Sequence, residues 1–238
     1  MKVNQPFLKR PFDIALSALG LIGSSWLFAL FSILIIIEDG FPIFIRQGRI
    51  GKGGRIFKSI KFRSMTKDAL QETINRQACE DDSRITRIGC GLRKAAMDEL
   101  PQLINILIGD MSFVGPRALL PVEIEVNGHN RGKSTNGGSY SLNGGDYVQY
   151  IRDIPGYEDR IRVVPGLTGI AQIYAPRDLP RRFKFKYDLL YLRRLSFWTD
   201  LKLIALSFII SLRGKWEHRG VKLSSLKRGK DGPLRGRD

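Results

Sequence analysis

The stretch IALSALGLIGSSWLFALFSILIII, residues 14–37, decides the fold because it runs for 24 residues without a charge. A segment of this length is sufficient to cross a bilayer as a helix. It is longer than the apolar part of a signal peptide, and no small-residue cleavage site follows it. We therefore expect residues 1–40 to form a membrane-embedded unit at the start of the 238-residue chain.

Two topologies are open for this segment, a single span and a re-entrant hairpin. Its basic flanking residues are Lys2, Lys9 and Arg10 on one side, and Arg46, Arg49, Lys52 and Arg55 on the other. Because basic flanks favour the cytoplasmic side, these charges favour a hairpin that keeps both flanks there. Gly20 and the run Gly23-Ser24-Ser25 predict a hinge, since glycine loosens a helix and serine hydroxyls satisfy freed carbonyls.

The overall charge restricts the partners of the protein. The 39 Lys and Arg residues outnumber the 23 Asp and Glu residues and give a net charge of +16. Acidic lipid, phosphorylated substrates and nucleic acid all suit such a surface. The cysteines, Cys79 and Cys90, and the two histidines are too few for a Cys/His zinc site. This indicates a reducing compartment and no structural metal.

The residues after position 40 have the pattern of a β-hairpin. PIFIRQ and RIFKSIKFRSM read as short strands around the glycine-rich connection GRIGKGG, residues 48–54. This connection fits neither the P-loop nor the dinucleotide-binding spacing, so a hairpin turn is the better interpretation. Further on, residues 66–80 look helical. Residues 84–94 mix Ile and Leu with Arg and Lys, which predicts an amphipathic helix with a basic face.

Asp98 and Glu99 stand at the start of a helical pattern in AAMDELPQLINILIGDMSFVGPR, residues 95–117. Since Pro101 is tolerated only in the first turn of a helix, we expect the helix to begin near Asp98. Asp98 is then either an ordinary N-cap or a nucleophile placed where a helix N-terminus attracts phosphate. Glu99 points in another direction and should have a different role.

Three outer segments complete the organisation. Residues 127–146 are rich in Gly, Asn and Ser and are predicted to form a flexible insertion. Residues 213–238 read as a basic disordered tail. Residues 197–212 contain an apolar run too short to span a bilayer. They form either an interfacial helix with Trp198 at the headgroups or a helix of the protein core.

Several basic residues are candidates for phosphate contact. Arg117 follows the turn at Gly115-Pro116 and suits bidentate phosphate binding, although a solvated loop arginine is the alternative. Lys61 and Arg63 are two residues apart in a predicted strand, and we expect them on one face of it. Taken singly, each is a surface cation.

Six ordered motifs carry a resemblance that spacing alone does not supply. They are KRPFD at 9–13, KFRSM at 61–65, SRITRIG at 83–89, DELPQL at 98–103, GDMSFVGPR at 109–117 and PGLTGIAQ at 165–172. The set resembles the bacterial sugar transferase family, the monotopic phosphoglycosyl transferases. The resemblance covers about residues 9–212 apart from the insertion.

The resemblance implies an α/β, mostly helical fold. It is that of a small monotopic membrane enzyme with an N-terminal re-entrant membrane helix, a short β-hairpin and amphipathic interfacial helices. The domains are then the membrane helix at 1–40, the catalytic domain at 41–212 and the tail at 213–238. The expected location is the bacterial inner membrane, with the catalytic domain on its cytoplasmic face.

The resemblance also implies a reaction. A sugar 1-phosphate passes from a UDP-sugar to undecaprenyl phosphate with release of UMP, a first membrane step of exopolysaccharide, capsule, O-antigen or glycoprotein glycan assembly. Asp98 would form a covalent phosphosugar intermediate with help from Glu99, and Mg²⁺ would bridge Asp98 and the diphosphate and offset their repulsion. The residues implied in substrate binding are Lys61, Arg63, Arg93, Arg117, Gln172, Arg177 and Asp188.

The expected partners are the two substrates and membrane lipid, without nucleic acid, and the sequence is compatible with a homo-oligomer. A rival hypothesis rests on the charge: a membrane-anchored basic protein that binds acidic lipid or nucleic acid without catalysis. The departures from the family pattern are Ser25-Trp26 for Ser-Pro, Ala118 for a proline, Ile170 for a tryptophan, and residues 174–178 for an Asn-Gly-Arg turn. They bear on substrate choice more than on reaction type.

Overall fold

The computed structural model describes residues 5–67, 84–121, 124–127, 147–176 and 179–212. Four sequence predictions fall on other residues, namely most of the helix at 66–80, nearly all of the insertion at 127–146, the tail at 213–238, and Arg177. They lie outside the described residues.

The apolar segment forms two helices, α1 at Lys9–Gly23 and α2 at Ser25–Asp39, with a bend of 57° between them. The hydroxyl of Ser24 donates to the carbonyl of Gly20 at 2.6 Å, which satisfies an acceptor at the break. The bend lies within the predicted hinge, so that prediction is confirmed. No single helix among the described residues has the length and apolar character of a membrane span, but this bent pair has both when taken together.

The predicted hairpin is confirmed. Strand β1, Phe44–Ile50, pairs antiparallel with β2, Ile56–Phe62. The connection contains Gly53 and Gly54 with positive φ angles of 67° and 78°, a backbone conformation that residues other than glycine rarely adopt. Since β2 ends at Phe62, the prediction that Lys61 and Arg63 share a strand face is wrong.

Helix α3, Arg87–Lys94, begins after a threonine cap, because Thr86 Oγ1 accepts a hydrogen bond from the Gly89 amide at 2.9 Å. Gly89 also brings this helix against the hairpin. A Cβ atom at that position would lie 2.2 Å from the carbonyl oxygen of Ser64, so only glycine permits the approach. The predicted amphipathic helix at 84–94 is therefore confirmed in its main part.

The helix predicted to begin near Asp98 begins later, and that prediction is wrong. Ala96 adopts the left-handed conformation with φ 56°, and a 3₁₀ turn at Met97–Glu99 follows. Helix α4 is Gln102–Ile108, directly after Pro101. The left-handed backbone at Ala96 separates α3 from the 3₁₀ turn that precedes α4. Asp98 therefore lies in that turn rather than at the N-cap of α4.

The other elements form small sheets and helices. They are β3 at Ser112–Val114, β4 at Ile124–Asn127, β5 at Tyr147–Tyr150, α5 at Tyr157–Arg160, β6 at Gly166–Thr168, α6 at Ile170–Tyr174, α7 at Arg181–Arg193 and α8 at Phe197–Leu212. Strand β3 pairs parallel with β6, and β4 pairs antiparallel with β5. The described chain is thus mostly helical with small sheets, consistent with the α/β class.

Helix α1 is attached to the strands and helices around the site. The Arg10 guanidinium donates to the carbonyls of Ile106 and Leu107 at 2.6 and 2.8 Å, where α4 ends. Asp13 accepts a hydrogen bond from the amide of Phe113 at 3.2 Å. The KRPFD segment therefore joins α1 to α4 and β3.

Helix α8 combines the two alternatives that the sequence left open. Leu203 is buried in a cluster with Val114 and Tyr191, whereas Trp198 and Phe208 are 69% and 64% exposed. One face of α8 therefore belongs to the core, and the other presents large apolar side chains.

Candidate active site

Glu99 lies at the centre of a group of basic side chains. Its Oε1 atom is 2.5 Å from Lys61 Nζ and 3.6 Å from Arg117 Nη2. Lys61 comes from β2, Glu99 from the 3₁₀ turn, and Arg117 from the segment after β3. The fold thus brings together two of the predicted binding residues and one of the two predicted catalytic carboxylates.

This environment determines the charge of Glu99. Burial by itself raises the pKa of a carboxyl group, but the positive charges of Lys61, Arg117 and Arg49 outweigh it and lower the pKa of Glu99 to about 2. Glu99 is therefore ionised at neutral pH and is already engaged by cations.

Asp98 has the opposite character. Burial raises the pKa of its carboxyl group above the usual value, Lys61 opposes this, and the adjacent Glu99 carboxylate adds to the rise. Within the described part of the chain, no ion pair engages Asp98. Two neighbouring carboxylates with displaced pKa values in opposite directions are typical of pairs that divide a chemical task.

Arg93 reaches the same region from α3. Its Nε atom donates to Ser64 Oγ at 2.8 Å, and its charge offsets part of the rise in the pKa of Asp98. Three predicted binding residues, Lys61, Arg93 and Arg117, therefore surround the Asp98-Glu99 pair.

An open pocket lies beside Glu99, with about 270 Å³ of space when the solvent at its mouth is included. Its polar lining consists of Arg49, Ser59, Lys61, Glu99, Gln102 and Arg117. Asp98 is adjacent to this lining but is not part of it, since neighbouring residues of a 3₁₀ turn point in different directions. Cations on the pocket wall and a carboxylate at its side suit an anionic ligand that carries phosphate.

Asn105 fixes the strand that carries Lys61. Its Oδ1 atom accepts from the Ile60 amide at 3.0 Å and its Nδ2 atom donates to the Lys58 carbonyl at 2.9 Å. The side chain is 1% exposed. Because both amide groups are used, α4 holds β2 in one register relative to the 3₁₀ turn.

Three other predicted residues lie elsewhere. Arg63 is 1% exposed, donates to the carbonyl of Gly40 at 2.7 Å and pairs with Asp39 at 3.1 Å. It therefore contacts the end of α2 rather than the pocket. Gln172 lies in α6 beside Gly169, outside the pocket lining of the described residues. Asp188 lies in α7, and the fold buries its carboxylate against Arg160.

Two arginines of this region were not selected from the sequence. Arg49 donates to the Ala118 carbonyl at 3.1 Å and lines the pocket. Arg160 donates to the Arg117 carbonyl at 2.7 Å. Their main-chain partners are 69 and 43 residues away, so local periodicity carries no signal for them. Arg49 stood in the predicted glycine-rich connection at 48–54, which gave no indication of a position in the pocket.

The donor set fits a magnesium ion that arrives with a phosphate substrate. The described residues contain no group of three His, Cys, Asp or Glu side chains, so a site built from protein ligands alone is absent from this part. Mg²⁺ commonly uses one or two carboxylates together with substrate phosphates and water. Asp98 supplies one carboxylate without a competing ion pair in the described chain, whereas Glu99 is engaged by Lys61.

One known protein family matches the chain along most of its length. The model of the bacterial sugar transferase family aligns with residues 4–214. The chain belongs to the bacterial sugar transferase family. The resemblance of the six motifs is thereby confirmed over nearly the whole described chain.

Named proteins share about one third of their aligned residues with the chain. It is 34% identical over 202 residues to the UDP-N-acetylgalactosamine-undecaprenyl-phosphate N-acetylgalactosaminephosphotransferase of Aeromonas hydrophila, covering 83% of this chain and 42% of that protein. It is 35% identical over 207 residues to the UDP-glucose:undecaprenyl-phosphate glucose-1-phosphate transferase of Escherichia coli K12, covering 84% and 39%.

A third relative is comparable in length. The exopolysaccharide production protein PSS of Rhizobium leguminosarum bv. phaseoli is 36% identical over 216 residues, which is 87% of this chain and 97% of that protein. The chain therefore spans less than half of the two larger transferases but nearly all of this exopolysaccharide production protein.

Proposed function

We propose that the protein transfers a sugar 1-phosphate from a UDP-sugar to undecaprenyl phosphate and releases UMP. The observation that carries the proposal is the Asp98-Glu99 pair. Lys61 and Arg117 hold Glu99 ionised, while Asp98 has a raised pKa and no ion pair among the described residues. The names of its relatives support the substrate classes and a role in exopolysaccharide synthesis.

In the first step, a carboxylate oxygen of Asp98 attacks the β-phosphorus of the UDP-sugar. The bond from this phosphorus to the bridging oxygen breaks, UMP leaves with that oxygen, and a phosphosugar remains on Asp98. In the second step, a phosphate oxygen of undecaprenyl phosphate attacks the same phosphorus. The Asp98 carboxylate is released, and the lipid carries a diphosphate-linked sugar.

The surrounding side chains serve this chemistry through charge. The Lys61 ammonium and the Arg117 guanidinium lie where they bind phosphate oxygens and stabilise the charge of the transition state. Glu99 keeps both cations in place, and Arg93 adds positive charge beside Asp98. Bound Mg²⁺ would be held by Asp98 and the diphosphate and would reduce the repulsion between the two anions.

The N-terminal helices are proposed to enter and leave the bilayer on the same side. Their bend at Ser24 and the basic residues on both flanks support a re-entrant hairpin. The large apolar side chains that this pair exposes are Ile14, Leu19, Ile22, Trp26, Leu30, Ile33 and Ile37. Together with the exposed face of α8, they suit the acyl region and interface of the cytoplasmic leaflet.

The test is release of UMP by the purified protein with Mg²⁺, undecaprenyl phosphate and a panel of UDP-sugars. We expect at least one donor to give UMP and Asp98→Asn to reduce the rate by about 10³-fold or more, because the nucleophile is lost. Asp153→Asn is the matched control, since Asp153 is exposed on a short turn away from the pocket.

The intermediate is tested by rapid quenching of the reaction without lipid acceptor, followed by mass spectrometry of the peptide that contains Asp98. A sugar phosphate on this residue is expected. Product formation at the normal rate in Asp98→Asn protein would contradict the mechanism. If no UDP-sugar yields UMP while acidic vesicles bind wild-type and variant protein equally, the basic lipid-binding alternative takes its place.

A further inference from the structure

The main chain around Arg117 is held at four consecutive carbonyl groups. The Pro116 carbonyl accepts from the Gly166 amide at 2.9 Å, and the Leu119 carbonyl accepts from the Ile50 amide at 2.8 Å. Between them, two arginine side chains donate to the carbonyls of Arg117 and Ala118. Four donors from β1, α5 and β6 thus fix the segment that carries Arg117.

Arg160 is the donor to the Arg117 carbonyl, and the fold gives it no access to the pocket. The side chains of Arg160 and Asp188 are each 4% exposed, and both Nε and Nη2 of Arg160 lie 3.1 Å from Asp188 Oδ2. The guanidinium also stacks on the ring of Phe185, 4.5 Å from its centre. A buried guanidinium held by a carboxylate, a ring and a carbonyl has a fixed position.

The consequence reaches Glu99 through Arg117. The Arg117 side chain is 43% exposed and lies 3.6 Å from Glu99, so the position of its guanidinium depends on its main chain as well as on Glu99. Asp188 is too deeply buried to contact a substrate in this arrangement, although the family resemblance implies that it lines the site. Its connection to the chemistry runs through Arg160 and the carbonyl of Arg117.

We propose that Asp188 and Arg160 are positioning residues, which hold the main chain of Arg117 so that its guanidinium stays beside Glu99 and the pocket. The inference rests on the proposed function, because its readout is the transfer reaction. It differs from that function in assigning to Asp188 no contact with substrate.

The test is a double-mutant cycle of Asp188→Asn and Arg117→Ala in the full-length protein, with UMP release as the readout. In the wild-type background, Asp188→Asn should lower kcat/KM by about 10- to 100-fold, because a small displacement of a binding group costs that much. The fall in kcat and the rise in KM should contribute to this loss in the same proportion as they do in Arg117→Ala. In the Arg117→Ala background, the same change should alter kcat/KM by no more than about twofold.

Equal losses in both backgrounds would overturn the proposal, since Asp188 would then act independently of Arg117. Melting temperatures distinguish a general loss of stability caused by Asp188→Asn from a specific loss of activity. A general loss of stability should be similar in both backgrounds. If Asp188→Asn does not fold, Arg160→Lys enters the cycle, because it keeps the buried positive charge but not the forked geometry.

Asp159→Asn is the matched control. Asp159 lies on the same short helix as Arg160 and forms an ion pair with Arg162 beyond its end. Its side chain is 38% exposed, and we expect turnover to stay unchanged. A wild-type protein that releases no UMP from any donor refutes the proposed function. Normal release without coupling between positions 117 and 188 refutes this inference alone.

Discussion

Lys9 Nζ lies 2.5 Å from Asp200 Oδ2, although the two residues are 191 positions apart in the chain. Both side chains are buried, and the Tyr191 hydroxyl donates to the other carboxylate oxygen of Asp200 at 2.8 Å. Lys9 donates also to the Val114 carbonyl at 2.9 Å. The first residue of α1 is therefore locked to α8 and to β3, which leads toward Arg117.

Replacement of Lys9 by methionine should destabilise the protein strongly. The change leaves the Asp200 carboxylate buried without its cation, and such a break costs about 3–5 kcal/mol of the free energy of unfolding. We expect Asp200→Asn to recover part of this loss in the double variant, because the unpaired charge disappears. Thermal or denaturant unfolding in detergent measures the effect.

Lys202→Met is the control for this experiment, since Lys202 is exposed on α8 near Asp200. It should change the free energy of unfolding by less than about 0.5 kcal/mol. A similar small effect for Lys9→Met would show that the buried pair does not hold α1 in place.

Glu99 should make the stability depend on acid pH. Its pKa in the folded protein, about 2, is below the ordinary value of 4.5. The ionised group therefore stabilises the fold fully above pH 4.5, and this contribution disappears as the pH falls from 4.5 toward 2. It amounts to roughly 3 kcal/mol at most.

The measurement compares Asp98→Asn with Asp98→Asn/Glu99→Gln protein, so that the neighbouring carboxyl group does not titrate. Unfolding at several pH values between 6 and 2 should show a steeper loss of stability for the variant that keeps Glu99. Parallel curves for the two proteins would mean that Lys61 and Arg117 do not depress the pKa of Glu99.

Lys61→Met should impair turnover more than stability. The variant removes the ammonium that pairs with Glu99 and lines the pocket, and loss of one such electrostatic contact costs about 10²- to 10³-fold in kcat. UMP release at saturating donor measures it. Lys58→Met is the control, because Lys58 lies on the same strand but is exposed, and it should keep its activity within about twofold.

Chemical labelling of cysteines tests the membrane topology of α1 and α2. Single cysteines at Gln5 and Phe41, both exposed and on either side of the helix pair, should react from the same face of the membrane. Cys79 and Cys90 are replaced first. Labelling from opposite faces would make the pair a true span.

A second variant tests the cause of the bend. Ser24→Leu together with Gly23→Leu removes the flexible glycine and the hydroxyl that donates to the Gly20 carbonyl. We expect a straighter helix and a change in the side from which one of the two cysteines reacts. Unchanged labelling would show that contacts with the rest of the fold, rather than the hinge, set the topology.

Features encoded over short stretches were predictable. The two strands at 44–50 and 56–62 follow from apolar residues around a glycine turn, and the break near Ser24 follows from Gly23 and two serines. The start of α4 was not predictable from Pro101. Proline is accepted both inside the first turn and just before it, and the left-handed Ala96 depends on how α3 and the 3₁₀ turn meet.

By itself, the sequence determined the family, the apolar segment, the charge and the adjacent carboxylates Asp98 and Glu99, because these are properties of local composition and motif order. Only the tertiary structure decided which cations surround them. Lys61 meets Glu99 across 38 residues, and Arg160 meets the main chain of Arg117 across 43. Such contacts form when packed elements bring distant groups together, and a buried charge or carbonyl must find its partner there rather than among its neighbours in the chain.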